Sequence, residues 1–304
     1  MTSPVRYTSA DEDSGRWIGF PFRDDDIVIS ARSKSGTTWV QMICALLIFQ
    51  SADLPGRLGE LSPWLDHLIE PRDAVVSRLE AQQHRRFIKT HTPLDGIVID
   101  PGATYVVVAR PPLDMAVSLY HQSANIDRAR LRALTAAEDG TLRPPTPAAD
   151  ARPQPRPDLH DWLVGWIHRQ ATPTEQMDSL PGVLHHLVDA TRRARTSDNI
   201  VLLRYADLVR DLEGQMRHLA QRLRIDVPDD RWQELAAAAS FPAMRDRADD
   251  LAPNALGVLK DSRAFFRNGQ LGDGRAVLTD DEYAAYLERA RALAPDSLLD
   301  WLHA

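Results

Sequence analysis

Residues 26–41 read Asp-Ile-Val-Ile-Ser-Ala-Arg-Ser-Lys-Ser-Gly-Thr-Thr-Trp-Val-Gln, an apolar, β-branched run that breaks at a Ser/Gly turn and passes directly into an apolar helix. A strand that turns straight into a helix is the building unit of an α/β fold. Three more segments share the character of the first, being short, β-branched and apolar on both faces as buried parallel strands are. The four are Asp26–Ala31, Arg86–Thr90, Thr104–Ala109 and Asn199–Tyr205. Helical period lies between and after them, with apolar faces at Val183, Leu184, Leu187 and Val188, at Met216, Leu219, Ala220 and Leu223, and at Tyr283, Tyr286, Leu287 and Ala290. Thr279 and Glu282 form a capping box at the start of the last of these. The fold class expected is an α/β sandwich, a central parallel sheet flanked by helices.

No compositional break splits the 304 residues, so a single domain is expected. Ile126–Pro157 turns to Arg, Ala and Pro, with prolines at 144, 145, 147, 153, 155 and 157, and reads as a mobile insertion within that domain. The greasiest stretch, Trp39–Phe49, is interrupted by Gln41 and is far shorter than the roughly 20 residues that cross a bilayer. It reads as a buried helix, and no membrane span is expected. The polar start, Met1–Trp17, lacks the apolar run of a secretory signal. With 36 basic against 43 acidic residues the formal charge is -7, which disfavours nucleic acid as a partner. Cys44 is the only cysteine, so a disulfide within the chain and a cysteine-based metal site are excluded, and a reducing, cytoplasmic location is expected.

The chemistry begins at the first turn. Backbone amides at a helix start, with the helix dipole, make an anion site. Lys34, Ser35, Gly36, Thr37 and Thr38 would wrap a phosphate or sulfate, Gly36 letting the backbone approach, the threonines adding donors and Lys34 a cation. The lysine precedes the glycine and the Gly-x4-Gly-Lys-Ser/Thr spacing is absent, which disfavours an ordinary ATPase or kinase. The loop alone is equally a Ser/Thr-rich cap on a core helix. Lys34, Lys89 and Lys260 are the only lysines in an arginine-rich chain, and the first two fall at strand ends. The run Arg86-Phe-Ile-Lys-Thr-His-Thr-Pro93 brings Lys89 and His91 to one side of the chain at a strand's carboxyl end, where ligands of open α/β sheets bind. His91 is the candidate general base. His121, His185 and His186 are assigned structural roles. Arg110, at the end of the third strand, and Ser118, eight residues on, could share one phosphate, although Arg110 could as well pair with Asp114.

Four motifs in order, Lys34-Ser-Gly-Thr-Thr-Trp39, Phe87-Ile-Lys-Thr-His91, Arg110-x3-Asp-x3-Ser-x-Tyr120 and Arg267-x-Gly-x2-Gly-Asp273, resemble the PAPS-dependent sulfotransferases of the cytosolic type, over about residues 24–282. The resemblance implies a P-loop-like fold, 3′-phosphoadenosine 5′-phosphosulfate as donor, no metal, and sulfuryl transfer to a hydroxyl or amine. It implies that Lys34 through Trp39 hold the 5′-phosphosulfate, with Lys34 at the bridging oxygen and Trp39 against the adenine. Arg110, Ser118, Arg267 and Gly269 would bind the 3′-phosphate, Tyr205, Ser240 and Phe241 would line the adenine, and Lys89 and His91 would be the catalytic pair. The chain departs from the family at Ser33, where proline is usual, at Asn268, where a basic residue is common, and at Gly274, where tryptophan is usual. Asp280 and Ala284 depart from the C-terminal dimerisation pattern, leaving the oligomeric state open. A binding protein that keeps the nucleotide cradle without turnover, and less favourably a nucleotide kinase, are the alternatives. Phe20, Phe22, Trp64, Trp162, Trp166 and Phe241 suggest a largely hydrophobic acceptor, a phenol, sterol or lipid-linked sugar, unless they are simply core.

Overall fold

The structure, a computed structural model, describes residues 3–136 and 156–304. Its centre is a parallel sheet of β1 (Ile27–Ser30), β2 (Phe87–Thr90), β3 (Thr104–Ala109) and β4 (Ile200–Arg204), in the order β2-β1-β3-β4. Both faces are covered, which is why the strands carry apolar residues at consecutive positions. Ile29, Phe87, Val106 and Leu203 face one cluster, packed with the Thr37–Phe49 and Leu212–Leu223 helices. Val28, Ile88, Tyr105 and Ile200 face the other, packed with the Pro112–Asn125, Leu180–Ala194 and Asp280–Arg291 helices. The result is the three-layer α/β sandwich expected, and the capping box at Thr279 and Glu282 is formed.

The strands are shorter at their ends than the apolar runs. Tyr205 leaves β4 to open the Tyr205–Arg210 helix. Asp26 and Arg86 flank β1 and β2 and form a fully buried ion pair, with Arg86 Nε donating to Asp26 Oδ1 at 2.7 Å. The residues that follow them, Ile27 and Phe87, are register partners, so the ion pair closes the amino end of the sheet. Ser30 sits level with Thr90 on one side and Val107 on the other, so the carboxyl ends of three strands, each followed by one of the sequence motifs, open on the same edge.

The segment after Ile126 differs from expectation. Arg128–Ala136 is a helix, because Arg, Ala and Leu are good helix formers and Asp127 Oδ1 accepts from the amides of Ala129 (3.0 Å) and Arg130 (2.9 Å) at its start. The remainder of the insertion, residues 137–155, lies outside the described residues. No described helix is long and apolar enough to cross a membrane.

Removing one partner of a buried ion pair strands the other charge in the core, at a cost of about 3–5 kcal/mol. Asp26→Ala should therefore lower the denaturant midpoint by that amount of unfolding free energy, with the slope unchanged. A loss below about 1 kcal/mol would show that the Asp26–Arg86 pair does not hold the sheet's amino end.

Candidate active site

The first turn is built by two residues in the left-handed region, Lys34 (φ 62°) and Gly36 (φ 110°). The Ser35 amide closes the turn on the Arg32 carbonyl at 3.1 Å, and Val40 begins the helical ladder on the Gly36 carbonyl. Gly36 has a further reason to lack a side chain, since a Cβ there would lie 2.9 Å from the Tyr205 ring. Lys34, Gly36, Thr37, Thr38 and Trp39 line a cavity of about 770 Å³. Ser35 is buried behind them and does not line it. The Thr37 hydroxyl is buried with no hydrogen-bond partner.

Cations collect above this loop. Lys34 Nζ donates to the Phe265 carbonyl at 3.2 Å and sits 3.6 Å over the Phe265 ring. Burial, then Arg110, Lys89 and Arg267, push its pKa down to about 7. Arg110 donates to the carbonyls of Lys34 (2.9 Å) and Gln270 (3.1 Å) and lies over the Tyr205 ring at 4.5 Å, leaving a buried Nε unpartnered. It does not pair with Asp114, whose carboxylate instead accepts from the amides of Gly272 (3.0 Å) and Gly274 (2.9 Å). That contact explains one departure from the family pattern: a Cβ at Gly274 would lie 2.5 Å from Leu113, so no larger residue fits. Arg267 and Asn268 both donate to Asp273, and Arg267 also keeps a buried, unpartnered Nε. Ser118 and Gly269 complete this wall.

The aromatic residues assigned to the adenine are held by polar tethers. Trp39 Nε1 donates to the Ala239 carbonyl at 2.8 Å, and its ring meets Tyr205 edge to face at 5.2 Å. The Tyr205 hydroxyl donates to the Gly269 carbonyl at 3.1 Å. Phe241 lines the cavity against Gly269, where a Cβ would lie 2.5 Å from the ring. Ser240 does not line it; its hydroxyl accepts from the Ala243 amide at 3.4 Å and caps the Phe241–Asp246 helix.

At the carboxyl end of β2, His91 Nδ1 donates to the Ala31 carbonyl, which fixes the tautomer and leaves Nε2 as the basic nitrogen. Burial, Lys89 and Arg32 hold the imidazole well below its ordinary pKa, so the ring is neutral and able to accept a proton. Lys89 is pushed down to about 8, chiefly by burial. Three residues to which the sequence reading gave no part in the catalytic pair fix it in place. Trp64 carries Lys89 Nζ over its ring at 3.8 Å and meets His91 edge to face at 4.6 Å. Arg32, paired with Asp178 at 2.8 Å, donates to the His91 carbonyl. Asp66 accepts from the hydroxyls of Thr90 and Thr92 on either side of His91. Arg32 sat within the strand-turn-helix stretch itself and Trp64 was read only as an acceptor-pocket aromatic, whereas nothing local marked Asp66.

The remaining assignments divide. Trp64, Trp162, Trp166 and Phe241 line the cavity, while Phe20 and Phe22 pack against Trp17 in the core and do not. His185 pairs with Asp95 at 2.9 Å and His186 contacts Ser30 at 3.0 Å, both structural as expected.

Comparison with known proteins bears on this cavity. A sulfotransferase domain matches residues 24–292. A glycolipid sulfotransferase of Mycobacterium bovis is 41% identical over 317 residues, covering 100% of this chain and 95% of that protein. Among solved structures, retinol dehydratase in complex with androsterone and the inactive cofactor PAP aligns with TM-score 0.68 at 19% identity, over 93% of this chain and 84% of that one. A mouse sulfotransferase complexed with PAP aligns with TM-score 0.66 at 18% identity, over 95% and 94%. These neighbours share the three-layer fold, and of the readings the residues leave open, the domain match selects sulfuryl transfer. The chain belongs to the sulfotransferase family.

Proposed function

We propose that this enzyme transfers a sulfuryl group from PAPS to a hydroxyl of a lipid-linked sugar, with His91 as general base. The observation that carries the donor half is a set of buried donors with no partner, the Thr37 hydroxyl and the Nε groups of Arg110 and Arg267, gathered around Lys34 in one cavity. Buried donors are rarely left unpaired, and three together fit an anionic ligand with two phosphate groups. The acceptor half rests on the 41% identity to glycolipid sulfotransferases and on a cavity wall that adds Leu131, Trp162, Leu256 and Val258 to its polar groups. The single thiol, Cys44, is buried, which suits a reducing, cytoplasmic setting.

In this reading Lys34 and the first-turn amides hold the 5′ end of the donor, while Arg110, Ser118 and Arg267 hold the 3′-phosphate. Trp39, Tyr205 and Phe241 hold the adenine. When bound, PAPS supplies the activated sulfuryl group. Lys34 stabilises the negative charge that develops on the leaving oxygen, and the neighbouring cations add to that stabilisation. His91 Nε2 takes the proton from the acceptor hydroxyl, its neutral state maintained by burial and the adjacent cations. Lys89, held on Trp64, presents its ammonium beside that base and, close enough to act on Lys34, also toward the 5′ end of the donor. The arrangement works mainly by fixed positions, as group transfer of this kind requires.

His91→Ala should lower kcat by about 10²- to 10⁴-fold, the usual worth of a general base, while calorimetry shows PAP affinity within about threefold of wild type. Equal loss of PAP affinity would move His91 from the base to the donor cradle. PAP binding should also depend on pH in a definite direction. Lys34 and Lys89, lowered to about 7 and about 8 in the free protein, must both be protonated to meet the anion, so binding takes up protons above pH 7. Affinity should therefore fall from pH 7 to pH 9, with proton uptake visible in buffers of different ionisation enthalpy. A flat profile would mean that neither lysine meets the bound anion.

A further inference from the structure

Glu12 is 6% exposed, lies on the cavity wall, and has a buried Oε2 with no hydrogen-bond partner. It is not a loose side chain on a loose segment. The Glu12 carbonyl accepts from the Ser9 amide at 2.8 Å, and the Glu12 amide donates to the Ser9 hydroxyl at 3.1 Å. On either side, the Asp13 amide donates to the Asp66 carbonyl and the Leu68 amide to the Asp11 carbonyl, both at 2.8 Å. The backbone therefore clamps the carboxyl in place, although folding gains no hydrogen bond from that group. A buried carboxyl with an unmet bond costs stability, which marks it as kept for a ligand.

The surroundings define that ligand. Burial is the main influence on the carboxyl and raises its pKa to about 8; Arg32 opposes this, while Asp66, Asp178 and Asp11 add to it. At neutral pH the group is a carboxylic acid, which both donates and accepts. When ionised, Glu12 is the first of the charges acting on Lys89, and Lys89 is the first acting on His91, so the carboxyl stands on the acceptor side of the catalytic pair. A cationic ligand would meet Arg32 and Lys89 there. A hydroxyl, able to give and take a hydrogen bond, meets the acid's needs.

We propose that Glu12 is the specificity-determining residue for the acceptor, hydrogen-bonding a sugar hydroxyl next to the one sulfated and so selecting a polyhydroxyl head group over a simple phenol or an amine. The proposal rests on the sulfotransferase reading above and adds the acceptor's chemical class at a named side chain. Trp64, the nearby aromatic, cannot serve as the sugar platform, because one contact to its ring is Lys89 and another is His67, stacked at 3.9 Å. Among the polar groups of this wall, Glu12 offers a buried oxygen left without a partner, as Trp64 Nε1 offers an unpartnered donor.

The test is calorimetric titration of octyl β-D-glucopyranoside, 4-nitrophenol and octylamine into PAP-saturated wild type, Glu12→Gln and Glu12→Ala. Octyl glucoside should bind wild type, lose about tenfold or more in Glu12→Ala, and lose less in Glu12→Gln, whose amide still donates and accepts. Affinities for PAP and 4-nitrophenol should not change, which also shows that the variants fold. Unchanged glucoside binding in Glu12→Ala, equal loss of 4-nitrophenol, no glucoside binding to wild type, or an octylamine affinity that vanishes with the carboxyl would each overturn the assignment. Failure of wild type to bind PAP would instead overturn the donor reading, and the same glucoside comparison in PAP-free protein would still decide the role of Glu12.

Discussion

Three of the cations at the carboxyl edge of the sheet are held on aromatic faces, with no carboxylate in direct contact. Lys34 lies on Phe265, Lys89 on Trp64 and Arg110 on Tyr205, at 3.6, 3.8 and 4.5 Å. A ring face attracts a cation without neutralising it. The charges are thus placed without an ion-pair partner, and burial, then the repulsion of Arg110, Lys89 and Arg267, lowers Lys34. Arg267, by contrast, has a carboxylate, Asp273, and even there one buried N–H stays unpaired. Such an edge is destabilised until an anion enters, which is how a protein stores affinity for a phosphosulfate in its fold.

Close contacts at glycine keep this strained edge from collapsing. Gly36 lets Tyr205 reach the first loop, Gly269 lets Phe241 reach the late loop, and Gly274 seats the Asp273–Val277 helix on Leu113 while Asp114 takes up two of its neighbouring amides. The late loop therefore hangs from the helix that follows β3, and Arg267 is delivered beside Arg110 although 157 positions separate them in sequence. Arg110 completes the ring by donating to a carbonyl on each loop, Lys34 and Gln270. Placement of the anion cradle is in this sense one structural unit with three sources.

The donor side was legible in the chain because its parts are covalently local. Lys34 to Trp39, Lys89 with His91, and Arg110 with Ser118 each follow a strand directly, so reading the strand places the residue at the sheet's edge. What the sequence hid depends on tertiary approach. Asp66 and Glu12, and the hold of Trp64 on Lys89 and His91, come from irregular segments whose only signal is contact with β2 or the cavity. Ser240 was placed on the adenine wall by the family resemblance, but the start of a helix claims its hydroxyl. The Arg128–Ala136 helix was lost in a stretch whose prolines dominated its composition, although they all lie beyond it. Gly274 read as a missing tryptophan, whereas the structure has no room for one.

The central claim is that the lysines are charge-poised before any ligand arrives. With only three lysines in the chain, ¹⁵N-lysine labelling gives three side-chain resonances, and Lys260 serves as an internal control. Titrating the free protein should show Lys34 near 7 and Lys89 near 8, and saturation with PAP should move both toward the ordinary lysine value of about 10.4. Two lysines already at about 10.4 in the free protein, and unmoved by PAP, would contradict the charge-poised cradle outright.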